Sequence, residues 1–432
     1  MIGWNFPRAM SSANPIRETH LPLVIRAPLC ALLGVLALTA ATHLDFRQPF
    51  IGYGFGGAFL LYVAAERIPK RMTMLGAVGA LLTAWIWGRY EDLATLLVQV
   101  MGAFGLASLL LLSCTVLWNG RDREPAAYRV LLPAIVLAFF VLAAQYSLNM
   151  ASFLHHKTFD LYAFAFDGSL GFEPSFVLGR LLNSEPWLFP LLKMSYEGIL
   201  LAMAALYAGF MRRRDRPIWE IIEVLFASAI VGYAFFSIFP VCGPRYAFGP
   251  DFPDMVVPYA AFHQLALAKV PVSWLFPRNG VPSLHMTWAL LIWLNTRSLP
   301  QWARLAALAL VLATVFDTLA SGEHYLFDLV VALPFTLWMQ AWMARTVSIR
   351  DRRRWLPAVC GCALFLAWLV IGRFGFHLMM IGRTMPWLLV AASSTVSIVW
   401  AMTLPAMIPE MQAAPRNAGV AHVPDSGRPA IC

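Results

Sequence analysis

Between about Leu21 and Pro405 the chain is a succession of apolar runs. Each is close to the roughly 20 residues a helix needs to cross a bilayer. Twelve runs recur, at approximately 21–42, 50–66, 72–88, 93–118, 128–150, 187–211, 218–240, 283–298, 301–320, 324–345, 355–373 and 377–404. Within lipid every backbone N–H and C=O must be bonded inside the structure, which restricts spanning segments to helices or closed barrels. The runs are continuous rather than alternating, so a barrel is excluded. The expectation is an all-α, polytopic membrane protein with about twelve transmembrane helices. A chain that is 60% hydrophobic and 13% charged, with mean hydropathy +0.67, is no soluble domain.

The net charge of +9 is a topological signal rather than a nucleic-acid one. Its arginines and lysines cluster in short gaps: Arg8/Arg17, Arg67/Lys70/Arg71, Arg121/Arg123/Arg129, Arg212 to Arg216, Arg297/Arg304 and Arg350 to Arg354. With the twelve spans above, all of these fall on one side, which the positive-inside rule makes cytoplasmic. Both termini are therefore expected in the cytoplasm. The opposite side receives the stretch with Asp160, Asp167, Glu173 and Glu185, and the loop 241–282. Segment 151–186 is too polar to span, and its phenylalanines suggest an amphipathic element in the outer interface. No cleavable signal peptide is evident in residues 1–20, and the tail 406–432 reads as disordered. The location is a bacterial inner membrane or a eukaryotic endomembrane. The six cysteines show no metal-ligand spacing, and only Cys242 lies beside the segments that carry chemistry.

Those segments are Pro282-Ser283-Leu284-His285 and His324-Tyr325-Leu326-Phe327-Asp328. Each puts a histidine at the mouth of an apolar helix on the outer side. His324 and Asp328 are i and i+4, hence on one helical face. A carboxylate there fixes the imidazole tautomer and raises the basicity of the other ring nitrogen, as a nucleophile requires. A helix-end histidine meeting interfacial water is the bland alternative, and an aspartate inside an apolar stretch weighs against it. His285 is placed to protonate a leaving oxygen. Ser283 and the free amides of that helix start can hold phosphate oxygens. Arg245, in the Gly/Pro-rich Pro240–Tyr246 segment, suits a phosphate clamp, with Arg278 a second candidate. Tyr246 and Tyr325 complete the candidate substrate-binding set. Glu197 lies within a span and could face the cavity, while Asp317 and Glu323 lie close to the site in sequence and either could tune His324 or bind an acceptor hydroxyl. The motifs imply no cofactor and no metal, because they hold no carboxylate cluster suited to magnesium.

Pro-Ser-Leu-His followed 39 residues later by His-Tyr-x-x-Asp resembles the type 2 phosphatidic acid phosphatase superfamily, most of all its inositol phosphorylceramide synthase-like branch. The resemblance covers roughly 128–345. It implies a catalytic six-helix core there, flanked by accessory helices at 21–127 and two more at 346–405. It also implies His324 as nucleophile, Asp328 as its partner and His285 as leaving-group acid. Asp160, Asp167, Gly171 and Pro174 are similar to an Asp…Gly…Pro stretch of the inositolphosphotransferase branch. The phosphatase pattern is broken at three places. Ile238 stands where its first motif has Lys, Leu284 where it has Gly, and Thr318 where it has Arg. Two phosphate-binding charges are thus missing, which points away from phosphomonoesters. The implied partners are a phospholipid donor, a lipid alcohol acceptor and the bilayer, and the implied activity is headgroup phosphotransfer through a phosphohistidine. A lipid phosphate or polyprenyl diphosphate phosphatase is the alternative. A twelve-helix transporter or scaffold is the alternative from another class, though paired Gly/Pro-broken helices are not evident.

Overall fold

The computed structural model describes residues 23–46, 48–65, 69–86, 93–120, 123–212, 219–344 and 347–404. The terminal segments 1–20 and 406–432, and Arg67, Arg121 and Arg213 to Arg216, lie outside them, so the expectations placed on those residues go unaddressed. All twelve anticipated segments contain helix. Among the described residues eight helices are long and apolar enough to cross a membrane, or nine if one bent pair is a single span. The chain is an integral membrane protein of the all-α class. It divides into two compact units, Met1–Val141 and Leu142–Cys432.

The first unit holds α1 (Leu23–His43), α2 (Pro49–Ala65), α3 (Pro69–Ile86) and α4 (Leu93–Asn119), plus the first part of α5 (Pro125–Leu154). α4 is its hub, packed on α1, α2 and α3. Small residues permit this: a side chain at Gly105 would collide with the Phe55 backbone. Close backbone approach of this kind is how helices associate where lipid supplies no hydrophobic drive.

The second unit holds every candidate site residue. After α5 come α6 (Asp160–Ser169), α7 (Pro174–Ser184), α8 (Leu188–Glu197), α9 (Ile199–Met211) and α10 (Trp219–Ile238). α8 and α9 are one run bent by 54° at Gly198. Two short helices, α11 (Pro244–Phe248) and α12 (Tyr259–Phe262), lie in the long loop before α13 (Leu284–Asn295). Then follow α14 (Gln301–Ala320), α15 (Leu326–Met343), α16 (Arg352–Phe374), α17 (Phe376–Met379) and α18 (Thr384–Thr403). Two two-residue strands, β1 (Lys157–Thr158) and β2 (Val270–Pro271), pair antiparallel and tie the end of α5 to that loop.

α15 is the centre of this unit, touching α6, α10, α13, α16 and α18. Within the segment expected to lie amphipathically in the outer interface, Phe159, Phe164, Phe166 and Phe176 are buried, and so is most of α6, while Phe172, Val177 and Leu181 are exposed. Its two aspartates have partners inside the protein, described next, and those bonds hold the helix within the fold.

Candidate active site

Each motif starts a helix, and the two starts lie side by side. Ser283 is the N-cap of α13, its Oγ accepting from the Met286 N–H at 3.4 Å. The Ser283 N–H in turn donates to the Asp328 carbonyl in the first turn of α15, at 3.4 Å. This brings the Ser283 hydroxyl to 3.2 Å from His324 Nε2. On the other side of the ring, Nδ1 is 3.1 Å from Asp328 Oδ2, which also accepts from the Tyr325 N–H at 3.0 Å. The result is a line: carboxylate, imidazole, hydroxyl. With Asp328 accepting from Nδ1–H, Nε2 is the basic nitrogen, and it faces the amino end of α13.

Two carboxylates from α6 hold this arrangement. Asp167 accepts from the Leu326 and Phe327 N–H groups at 2.8 and 3.0 Å, satisfying the exposed first amides of α15 from a neighbouring helix. Asp160 accepts from the Cys242 N–H, the Gly243 N–H and the Tyr325 O–H, at 3.2, 2.9 and 3.1 Å. Asp160 and Asp167 are seven residues apart, two helical turns, so one face of α6 presents both. The His324 backbone is fixed as well. Its N–H donates to the Thr318 carbonyl at 3.0 Å, and its own carbonyl accepts from Ser175 Oγ at 2.9 Å.

The Arg245 loop is laid on the turn before His324. The Arg245 N–H donates to the Gly322 carbonyl at 3.0 Å. Both chains are glycines at the crossing, Gly243 with φ +105° and Gly322 with φ +71°. A Cβ on Gly243 would run into the Glu323 carbonyl, so only glycine allows both the conformation and the approach. Tyr246 crosses the same junction, donating its O–H to Glu323 Oε1 at 2.8 Å.

Burial sets the electrostatics. Asp160, with no exposed surface, is pushed up to about 6 by desolvation, against the pull of the donors around it. Asp167 is raised well above the carboxylate range by burial and, less, by the charge of Asp328. Glu173, buried beside it with no hydrogen bond to either oxygen, is raised too, by burial and then by Asp167. Burial also pushes the Cys242 thiol up, which removes it as a nucleophile.

The anticipated residues fall into three groups. His324, Asp328 and Ser283 are in contact. His285, two residues beyond Ser283, is half-buried, its ring stacked on Tyr196 at 3.7 Å between centroids and edge-on to Trp288. Arg245 is exposed, and its guanidinium makes no hydrogen bond or ion pair with the described residues. Tyr325 is fully buried and spends its hydroxyl on Asp160, and Tyr246 spends its own on Glu323. Arg278 departs from the ligand role expected of it. It is fully buried, and its guanidinium donates to the carbonyls of His155, Val272, Ser273 and Phe276. It is a strut of the loop, because a buried arginine must spend its donors on whatever acceptors enclose it.

Tyr196 and Ser175 were not anticipated. Neither lies in a motif, and only the bend at Gly198, breaking an apolar run, marked the neighbourhood of Tyr196. Residues 162–342 match the sequence model of the PAP2 superfamily. The match supports that superfamily for this segment, and with it a lipid phosphatase or phosphotransferase type of activity. It takes in every site residue above except Asp160. No curated protein and no solved structure matches the chain.

Proposed function

We propose that this chain is a lipid phosphotransferase that moves a phospho-headgroup, such as phosphoinositol, from a phospholipid to a lipid hydroxyl such as that of ceramide. The observation that carries the proposal is the Asp328–His324–Ser283 line. It leaves one basic imidazole nitrogen directed at the amino end of a helix, where phosphate oxygens are favoured.

In the first step His324 Nε2 attacks phosphorus and the P–O bond to the donor's lipid alcohol breaks. His285 supplies the proton that alcohol needs to leave. The product is a headgroup-phosphohistidine, whose positive ring charge Asp328 offsets. In the second step His285, now neutral, removes the proton of the acceptor hydroxyl. That oxygen attacks phosphorus and restores His324. Ser283 and the open amides of the first turn of α13 steady the non-bridging oxygens, with Arg245 the exposed cation at the mouth. Tyr246 and Tyr325 support the site by bracing Glu323 and Asp160.

Transfer is favoured over hydrolysis because His324 is fully buried. A covalent intermediate there is shielded from bulk water. The absent Lys and Arg positions also suit a phosphodiester, which carries less charge than a phosphomonoester. The positive-inside pattern supports an active site facing the periplasm or lumen. The test uses full-length protein in lipid nanodiscs with headgroup-labelled phosphatidylinositol, with and without ceramide. Labelled phosphoceramide from wild type and none from His324→Ala is the expected result. Release of soluble phosphorylated headgroup, independent of acceptor, would make the chain a hydrolase.

A further inference from the structure

A phosphoryl-transfer site normally gathers positive charge, yet the mouth of this one gathers carboxylates. Glu323 directly precedes His324. Asp317 is in the last turn of α14, next to Thr318, whose carbonyl accepts from the His324 N–H, and α14 packs on α8, the helix that ends at Glu197. Glu197 lies at the bend between α8 and α9, next to Tyr196, whose ring covers His285. Against three carboxylates stands Lys193, 3.8 Å from Glu197 and half exposed. Arg245, whose N–H meets the Gly322 carbonyl beside Glu323, is a second cation at this mouth.

Asp317 is the informative member. It is 3% exposed, and its buried Oδ1 makes no hydrogen bond with the described residues. A buried carboxylate without a donor is costly and marks a position at which a donor is supplied from outside the chain. Among the described residues no three His, Cys, Asp or Glu side chains converge closely enough to hold a metal ion.

We infer that Asp317, Glu197 and Glu323 form a cup that binds the part of the headgroup beyond the phosphate, selecting groups rich in hydrogen-bond donors. This inference rests on the reading that the site handles a lipid phosphodiester. Two chemistries fit, the hydroxyls of a polyol and the N–H groups of a primary ammonium. Both donate to carboxylates. A phosphomonoester fails on the same grounds, because it presents a second negative charge and no donors to three acids.

Binding separates this claim from catalysis. The full chain carrying His324→Ala, which cannot turn substrate over, is titrated in nanodiscs with short-chain phosphatidylinositol, phosphatidylethanolamine, phosphatidylcholine and phosphatidic acid. Intrinsic tryptophan fluorescence reports binding. The inositol or the ethanolamine lipid should bind about tenfold or more tighter than phosphatidic acid, the worth of one or two charged hydrogen bonds. Which of them leads identifies the donor as polyol or ammonium, and phosphatidylcholine, which has no N–H, should fall behind the leader. Adding Asp317→Asn or, separately, Glu323→Gln should erase most of that preference. Both changes remove charge without removing volume and relieve crowding of like charges, so folding is retained. Equal affinities, tightest binding of phosphatidic acid, or a preference unchanged in both variants would overturn the cup. Selective binding that depends on Asp317, combined with no His324-dependent transfer in the preceding assay, would leave the cup standing and remove the transferase.

Discussion

Replacing Asp328 by Asn tests the electrostatic part of the mechanism almost in isolation. Both bonds made by this carboxylate go to one oxygen, Oδ2, which accepts from His324 Nδ1 and from the Tyr325 N–H. An asparagine with its carbonyl in that position keeps both bonds and so keeps the imidazole tautomer and the helix start. Its amide replaces Oδ1, which has no hydrogen-bond partner among the described residues. The geometry survives and the charge is lost. Before attack the change costs about 1–2 kcal/mol, the difference between a charge-assisted and a neutral hydrogen bond. As Nε2 bonds to phosphorus the ring becomes cationic inside a dry site, and the missing counter-charge matters more. Loss of the equivalent carboxylate in a hydrolase triad lowers turnover by roughly 10⁴, a figure that includes loss of the correct tautomer and is therefore the upper bound here. We expect kcat to fall by roughly 10²–10⁴, or about 3–5 kcal/mol of barrier, with KM little changed. Steady-state transfer in nanodiscs measures it, alongside the melting temperature of the variant. A kcat within about threefold of wild type, under 1 kcal/mol of barrier, would show that Asp328 only shapes the helix start.

Three further outcomes follow from the same contacts. Arg245→Ala should leave stability within about 0.5 kcal/mol, since the side chain is exposed, but raise donor KM about tenfold. Arg278→Ala should do the reverse, removing a fully buried side chain that donates to the carbonyls of His155, Val272, Ser273 and Phe276 and costing more than about 3 kcal/mol in thermal unfolding; equal KM effects in the two would refute the division of roles. Asp160 is raised from 3.8 to about 6 when folded, so between those values the native state holds the proton more tightly than the unfolded chain. Its contribution to stability is therefore fully present below about pH 4 and is lost as pH rises to about 6, some 3 kcal/mol in all, and the slope of melting temperature over that range should flatten in Asp160→Asn. Gly243→Ala should abolish accumulation or activity, because φ +105° and the Glu323 carbonyl both exclude a Cβ; a fully active Ala variant would contradict the crossing described here.

The sequence announces its helices because lipid leaves little choice: a continuous apolar run must satisfy its own backbone. It announces the starts of α13 and α15 as well, since Ser283 and the i, i+4 pair His324/Asp328 act locally. What it hides are contacts across the chain. The bond from Asp160 to Tyr325 joins residues 165 apart, and Arg278 to His155 joins residues 123 apart. An arginine beside a phosphate-binding motif looks the same in sequence whether it meets phosphate or carbonyls, which is why Arg278 and Arg245 could not be told apart. The phenylalanines of 159–176 suggested a face for the bilayer because amphipathic and buried helices differ mainly in what covers the polar side. Here Asp160 and Asp167 turn that side inward. Their seven-residue spacing was the available signal, and it acquires meaning only once α15 is seen to start beside them.

The central claim is that His324 forms a bond to phosphorus, and the intermediate itself is the most direct readout. A headgroup p-nitrophenyl phosphodiester has a leaving group that needs no proton, so it can load the enzyme even in the His285→Ala variant, in which the second step is slowed. Full-length protein quenched at alkaline pH, where phosphohistidine survives, is digested and its peptides weighed. The account predicts the mass of the phospho-headgroup on the peptide containing His324, accumulating in His285→Ala and absent from His324→Ala. Turnover without any such adduct, or an adduct on another side chain, would contradict it.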